Sequence, residues 1–178
     1  MKAFLCGLLF FVPGVALAES QWVLDQSTLT YHVSHPLHHV EGISHEARGK
    51  GVCQAGQCDF LIAVPVKSFD SGDSNRDLHM IQAVRAGAFP MVAVRTKLPE
   101  NAASASTVNA DLEIQFAGQT AHYSGVAFQR VDQGKESRIA GTIPATVADF
   151  KIPPPSLLTV PIKNEIPITV DMTWRQSP

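Results

Sequence analysis

The chain carries few charges of either sign and no surplus of positive charge. Charged residues make up 17% of its 178 residues, and 14 basic residues stand against 16 acidic ones, for a net charge of −2. This balance gives no support to binding of nucleic acid or of anionic lipid headgroups. Linker-like stretches are also lacking, because the nearest candidate, Glu100 to Ser106, is typical of a short polar loop. The length therefore suits one domain with a sizeable core.

Long apolar runs are lacking except near the first residue. The run from Ala3 to Val12 is shorter than the roughly 20 residues that a membrane-spanning helix needs. Lys2 precedes this run, and Pro13-Gly14 and the small-x-small sequence Ala16-Leu17-Ala18 follow it. This order predicts an export signal over residues 1–18, cleaved near Ala18, and a mature domain over residues 19–178. We therefore expect a periplasmic or secreted protein without an integral membrane span.

Cysteine is scarce, and cleavage of the signal would remove one of the three, Cys6. The other two, Cys53 and Cys58, flank a centre of Ala55-Gly56 that can form a turn. In an oxidising compartment this spacing predicts a disulfide across a hairpin tip, with a stabilisation of about 2 kcal/mol from loop entropy. A redox-active pair is the alternative, although the spacing is not Cys-x-x-Cys and no helix start is evident to lower a thiol pKa.

Motifs for covalent chemistry are missing from the sequence. There is no Gly-x-Ser-x-Gly elbow and no glycine-rich phosphate loop, so we expect a protein that is not an enzyme. The nearest approach to a catalytic set is Arg76, Asp77 and His79. A structural interpretation competes with catalysis, in which Asp73 to Asn75 form a turn that Arg76 and Asp77 tie to neighbouring backbone or charges.

Short alternating runs of apolar residues dominate what is present, and turn residues separate them. This pattern predicts an all-β domain, with further strands at Leu61 to Val66 and Pro90 to Thr96 and a short helical segment within Asp77 to Ala86. Closing the antiparallel strands into a barrel of about eight would remove exposed edges. Three runs predict inward faces, which are Leu29, Tyr31 and Val33; Leu112, Ile114 and Phe116; and Ile168, Val170 and Met172.

Three blocks of sequence resemble the signature of one family. The segment from Ser68 to Pro90 contains an acidic, glycine-containing turn, then Arg-Asp-x-His and a late Phe-Pro. The opening block has Trp22, Leu24, Asp25, Ser27 and His35, followed by Val40 and Gly42, and the closing block runs from Ala148 to Trp174 with Pro-Ser-Leu-Leu inside it. Together these blocks resemble the YceI-like family of secreted, lipocalin-like β-barrels that bind lipids and polyisoprenoids.

The resemblance implies a function that composition alone does not. A barrel of about eight strands is either filled by its own side chains or holds one apolar ligand. YceI-like proteins hold a long isoprenoid or fatty chain along the barrel axis. The resemblance therefore implies a non-catalytic binding protein for a polyisoprenoid, quinone-like or fatty-chain amphiphile, with no other cofactor, and the three inward faces would line the site. Arg76 or His79 would meet a polar headgroup at the rim, and a homodimer is an open alternative because family members are often dimers.

The sequence departs from the family pattern in its richness in histidine between residues 35 and 45. Imidazole side chains bind zinc, copper and nickel, so His35, His38, His39 and His45 offer an alternative metal site. Their spacings of three, one and six residues would require a loop to bring them together. With Cys53 and Cys58 they support an alternative function, a periplasmic metal-binding or redox accessory protein. An enzyme such as a hydrolase or isomerase is a third hypothesis, which needs a polar constellation inside the cavity.

Overall fold

A computed structural model describes residues 19–35, 38–154, 156–157 and 160–177. The predicted export signal over residues 1–18 lies outside this part. Eight antiparallel strands form a closed barrel, a ninth strand extends the same sheet, and two short strands form a separate pair. The strands are β1 (Ser20–His35), β2 (His38–Ser44), β3 (Arg48–Gln54), β4 (Gln57–Pro65), β5 (Met91–Pro99), β6 (Thr107–Phe116), β7 (Gln119–Gln133), β8 (Glu136–Ile143), β9 (Ser156–Leu157), β10 (Val160–Pro161) and β11 (Ile168–Ser177). The predicted all-β antiparallel barrel is confirmed.

The barrel closes because β1 pairs on both of its sides. One side pairs with β11, from Gln21 opposite Ser177 to Tyr31 opposite Ile168. The other side pairs first with β3 and further along with β2. The order around the barrel is then β1, β3, β4, β5, β6, β7, β8 and β11. Pairing of the first strand with the last leaves the barrel without a free edge.

The inward faces follow the predicted alternation. In β6 the buried residues Val108, Ala110, Leu112 and Ile114 alternate with residues that face outward, because successive side chains of a strand point to opposite faces. Leu29, Val170 and Met172 are likewise buried.

Small residues in β3 make room for large side chains from β4 and β11. A Cβ atom at Gly49 would lie 2.6 Å from the Trp174 ring, and one at Gly51 would overlap the Phe60 ring. The Phe60 and Trp174 rings meet edge to face with their centroids 5.2 Å apart.

Two helices mark opposite ends of the barrel. Helix α1 (Ser74–Ala83) lies where β4 ends and β5 begins, near the β6–β7 turn, and helix α2 (Glu100–Ala103) joins β5 to β6 beside the β3–β4 turn. We call these the α1 end and the α2 end. Among the described residues, no helix is both long and apolar enough to cross a membrane.

Both helices correct the sequence prediction. Helix α1 begins three residues before the predicted Asp77 because Asp73 caps it, accepting backbone hydrogen bonds from Asn75 at 3.0 Å and Arg76 at 3.1 Å. The backbone hydrogen bond from Arg76 lowers the pKa of the exposed Asp73 carboxyl. The prediction of a loop over Glu100 to Ser106 is wrong for its first four residues, which form one helical turn.

The segment between β8 and β11 covers the α1 end. It contains a 3₁₀ turn at Ala148–Phe150, and the Phe150 ring packs edge to face on Phe116 at 5.3 Å between centroids. Val147 and Ile152 are buried beside it. These apolar contacts hold the segment against the barrel.

Candidate ligand-binding cavity

A cavity of about 840 Å³ lies inside the barrel. All eight barrel strands contribute inward-facing side chains to its wall, and most of these side chains are aliphatic or aromatic. The volume falls within the range of roughly 300 to 1,000 Å³ that is typical of small-molecule sites, which are also predominantly apolar. The barrel is therefore hollow and is not filled by its own side chains.

The structure brings the nine residues predicted to line the ligand site together in the wall of this cavity. They are Leu29, Tyr31, Val33, Leu112, Ile114, Phe116, Ile168, Val170 and Met172. Alternation alone places them there, since each run has one face toward the barrel axis. Their contact with a ligand stays a prediction.

Sequence reasoning missed the contribution of β4 and β5 to the same wall. Phe60, Ile62 and Val64 face the cavity from β4, and Val92 and Val94 face it from β5. The strands were predicted, but their faces were not assigned, because apolar residues such as Leu61 also occupy the outward positions. Leu61 is exposed. The sequence signal for the inward face of β4 was the short alternation that starts at Cys58.

The α1 end of the cavity is narrowed by aromatic packing. The Tyr31 ring lies against Gly42, where a Cβ atom would overlap it, and its centroid is 5.6 Å from that of Phe69. Burial raises the pKa of the Tyr31 hydroxyl; the nearby Asp77 carboxylate adds to this rise and Arg76 opposes it. The Tyr31 hydroxyl therefore keeps its proton at neutral pH and is packed among neighbouring side chains at this end.

Arg76 and His79, the predicted headgroup residues, both line the cavity from α1. Arg76 Nε donates to Ser71 Oγ at 2.9 Å, and its Nη2 donates to the Ser71 carbonyl at 3.1 Å. Asp77 accepts the Ser71 backbone N–H at 3.1 Å. These bonds agree with the structural interpretation, in which Arg76 and Asp77 tie the preceding loop to the helix. Contact of Arg76 or His79 with a headgroup remains a prediction.

The disulfide between Cys53 and Cys58 is confirmed, and it faces the cavity at the α2 end. The two residues are register partners across the Ala55-Gly56 turn, in which both central residues have positive φ. Cys58 is 0% exposed and Cys53 is also buried. This burial argues against the redox alternative, which needs an accessible sulfur.

The histidines of the metal alternative are only partly within the described residues. His35 and His38 pair across the β1–β2 hairpin, and their side chains lie outside the described part. His39 Nδ1 is 3.1 Å from Ser34 Oγ, and His45 Nδ1 is 3.1 Å from the Ser27 carbonyl oxygen. Across the part of the chain that is described, no group of three or more His, Cys, Asp or Glu side chains is placed to hold a metal ion.

A polar group at the α2 end was missed by the sequence analysis. Arg130 of β7 and Ser137 of β8 line the cavity there. A charged residue in a strand is usually assigned to the outer face, yet the alternation from Val126 and Phe128 places Arg130 inward and Val131 outward. The alternation of inward and outward residues along β7 was therefore the sequence signal for Arg130.

Comparison with known proteins identifies the architecture. No family model and no curated protein matches the chain by sequence. The structure of BcnA from Burkholderia cenocepacia matches with a TM-score of 0.70 and 15% identity, over 83% of this chain and 95% of that chain. A polyisoprenoid binding domain from Saccharophagus degradans matches with a TM-score of 0.66 and 13% identity, over 91% and 100%. A Campylobacter jejuni YceI protein matches with a TM-score of 0.50 and 12% identity, over 100% and 99%. The chain has the YceI fold.

The sequence resemblance is thus matched by a shared YceI fold. The block from Ser68 to Pro90 lies at the α1 end of the barrel, and the closing block begins there with the 3₁₀ turn at Ala148–Phe150 before it continues into β11. The blocks also supply part of the cavity wall, because Ile168, Val170 and Met172 of the closing block line it together with the strands between the blocks.

Proposed function

We propose that the chain is a non-catalytic carrier that holds one long apolar ligand in the barrel interior. The observation that carries this proposal is the cavity of about 840 Å³, walled by apolar side chains from all eight barrel strands. The similarity to a polyisoprenoid binding domain supports the same ligand class, a polyisoprenoid, quinone-like or fatty-chain amphiphile.

Apolar burial is sufficient to hold such a ligand without covalent chemistry. Each methylene buried contributes about 0.8 kcal/mol, so twenty carbons give a gross gain of roughly 16 kcal/mol before the costs of ordering are subtracted. The ionisable side chains that line the cavity, among the described residues, are confined to its two ends. Among the described residues, the middle of the cavity therefore has no ionisable side chain that could act as a general acid or base. This supports a carrier over an enzyme.

We further propose that the carrier works in the periplasm or outside the cell. The predicted signal over residues 1–18 supports export, and a disulfide between Cys53 and Cys58 suits an oxidising compartment. Cell fractionation followed by N-terminal sequencing tests this. We expect a mature protein in the periplasmic or extracellular fraction that begins near Glu19, whereas an uncleaved cytoplasmic chain would contradict it.

Mass spectrometry of an organic extract tests the ligand proposal directly. The full chain is expressed in its native host, purified without detergent, and extracted. We expect a stoichiometric long-chain lipid in the extract. A protein that yields no lipid, and that after purification takes up no polyprenol, quinone or fatty amide, would contradict a carrier function.

A further inference from the structure

The α2 end of the cavity contains a largely buried charge. Arg130 follows Val126 and Phe128 on the inward face of β7, and its side chain is only 11% exposed. Burying a guanidinium is costly unless it is paired and hydrogen-bonded. A carrier that binds by apolar contact alone does not need an arginine here.

Arg130 belongs to a closed three-residue network. Its Nη2 lies 2.7 Å from Asp132 Oδ1 and donates to Ser137 Oγ at 3.1 Å. The Ser137 hydroxyl donates to the same Asp132 oxygen at 2.6 Å. Asp132 and Ser137 are register partners on β7 and β8, and Asp132 is 54% exposed. The carboxylate thus balances the arginine charge from the solvent side.

The arginine still has donors to offer to the cavity. A guanidinium carries five N–H groups, and both contacts described above are made by Nη2. Arg130 and Ser137 line the cavity, whereas Asp132 does not. Among the described residues, the side-chain contacts of Arg130 leave its Nε and Nη1 donors for a ligand, and Asp132 already balances the arginine charge.

Among the described residues that line the cavity, each end has one arginine and one carboxylate, and His79 is also present at the α1 end. Glu100 also lines the cavity at the α2 end, so Arg130 stands against Glu100 and Asp132. At the α1 end, Arg76 stands against the cavity-lining Asp73 and the neighbouring Asp77. An anionic headgroup would therefore face carboxylates beside either arginine and would gain little from the arginine charge.

From this arrangement we propose that the ligand is a long-chain amphiphile with an uncharged oxygen headgroup, whose hydroxyl or carbonyl oxygen accepts a hydrogen bond from Arg130 at the α2 end. This inference rests on the proposed carrier function. The alcohol, quinone or amide oxygen supplies the acceptor that the guanidinium lacks, while the chain extends through the apolar middle of the barrel. A phosphate ester would instead compete with Asp132.

A matched pair of ligands tests the headgroup. Delipidated full-length mature protein is titrated with a polyprenol and with its monophosphate of equal chain length, and quenching of Trp22 and Trp174, which both line the cavity, reports binding. We expect wild type to bind the alcohol at least about 10-fold more tightly than the phosphate.

Arg130→Leu should weaken alcohol binding about 10-fold, as expected for loss of a charge-assisted hydrogen bond, and Arg130→Lys should restore part of it. Arg138→Leu is the control, since Arg138 is exposed and paired with Asp171.

Asp132→Asn is the variant that separates charge balance from structure. It keeps the arginine and the serine but removes the balancing carboxylate, so we expect preference to shift about 10-fold toward the phosphate. A structural role alone would change thermal stability without moving this ratio. Tighter binding of the phosphate by wild type, or a ratio that neither Arg130→Leu nor Asp132→Asn moves, would overturn the headgroup assignment. Failure of wild type to bind either ligand, and likewise a quinone and a fatty amide, would instead overturn the carrier function itself.

Discussion

The Tyr123 hydroxyl donates a hydrogen bond to Asp149 Oδ2 at 2.7 Å and so joins β7 to the 3₁₀ turn that covers the α1 end. The same carboxylate oxygen accepts the Thr146 backbone N–H at 3.0 Å. Phe150, the next residue along, packs on Phe116 at the cavity wall. One hydroxyl therefore helps to hold the covering segment in place.

Removing this hydroxyl should loosen the cover. We expect Tyr123→Phe to lower the free energy of unfolding by about 1 kcal/mol, because it removes a single hydrogen bond while keeping the ring. Urea denaturation measures the change, and hydrogen exchange over residues 144–154 should rise. In an Asp149→Ala background, Tyr123→Phe should lower the free energy of unfolding by clearly less. Equal costs in both backgrounds would show that the bond contributes nothing.

Asp149 should also make stability depend on acid pH. Burial raises the pKa of its carboxyl, but the hydrogen bonds from Tyr123 and Thr146 outweigh burial and lower the pKa below the ordinary value of 3.8. A lowered folded-state pKa contributes stability above the unfolded-state value, and that stability is lost as the pH falls through the folded-state value. The stability difference between wild type and Asp149→Asn should therefore be constant near neutrality and shrink below about pH 4. Denaturation at several pH values measures it, and a difference that grows in acid would contradict the assignment.

Filling the cavity should displace the ligand without disturbing the outer surface. Ala110 is buried in the cavity wall on β6, and Ala127 is exposed on the adjacent strand β7. Ala110→Phe should remove most of the lipid from the native extract at a stability cost of roughly 1–3 kcal/mol from overpacking. Ala127→Phe adds the same ring outside and should leave the lipid content unchanged. Equal lipid content in the two variants would place the ligand elsewhere.

The disulfide should be structural and protected. Replacing Cys53 and Cys58 together by alanine should cost about 2 kcal/mol, since the bridge closes a short loop. Because both sulfurs are buried, we expect dithiothreitol to reduce the native bond only at the rate of local or global opening. Thiol labelling with and without about 4 M urea measures this, because urea promotes the opening that exposes the bond. Rapid reduction of the native protein would revive the redox alternative.

The sequence was informative wherever one face of a strand is apolar. The alternation around Leu29, Leu112 and Val170 located inward faces correctly because the side-chain period of a strand is two residues. It could not decide between a filled and a hollow barrel. That outcome depends on closure of β1 with β11, and Gly49 and Gly51 leave room beside the Trp174 and Phe60 rings.

The misses have specific physical causes. Asp73 was assigned to a turn, but its side chain satisfies the first N–H groups of α1, so the helix starts earlier than its apolar residues suggest. Arg130 was overlooked because its inward position is tolerated only with Asp132 and Ser137 beside it, and those partners become neighbours only through the β7–β8 register.

Closure of β1 on β11 has a consequence for how the protein forms. The pairing joins Gln21 to Ser177 and thereby spans almost the whole of the described chain. Contacts so distant in sequence are slow to form, because a long loop must close before any of them is gained. Under the proposed export and carrier function, the barrel cannot enclose a lipid until its last strand has been translocated, so loading would belong to the final stage of folding.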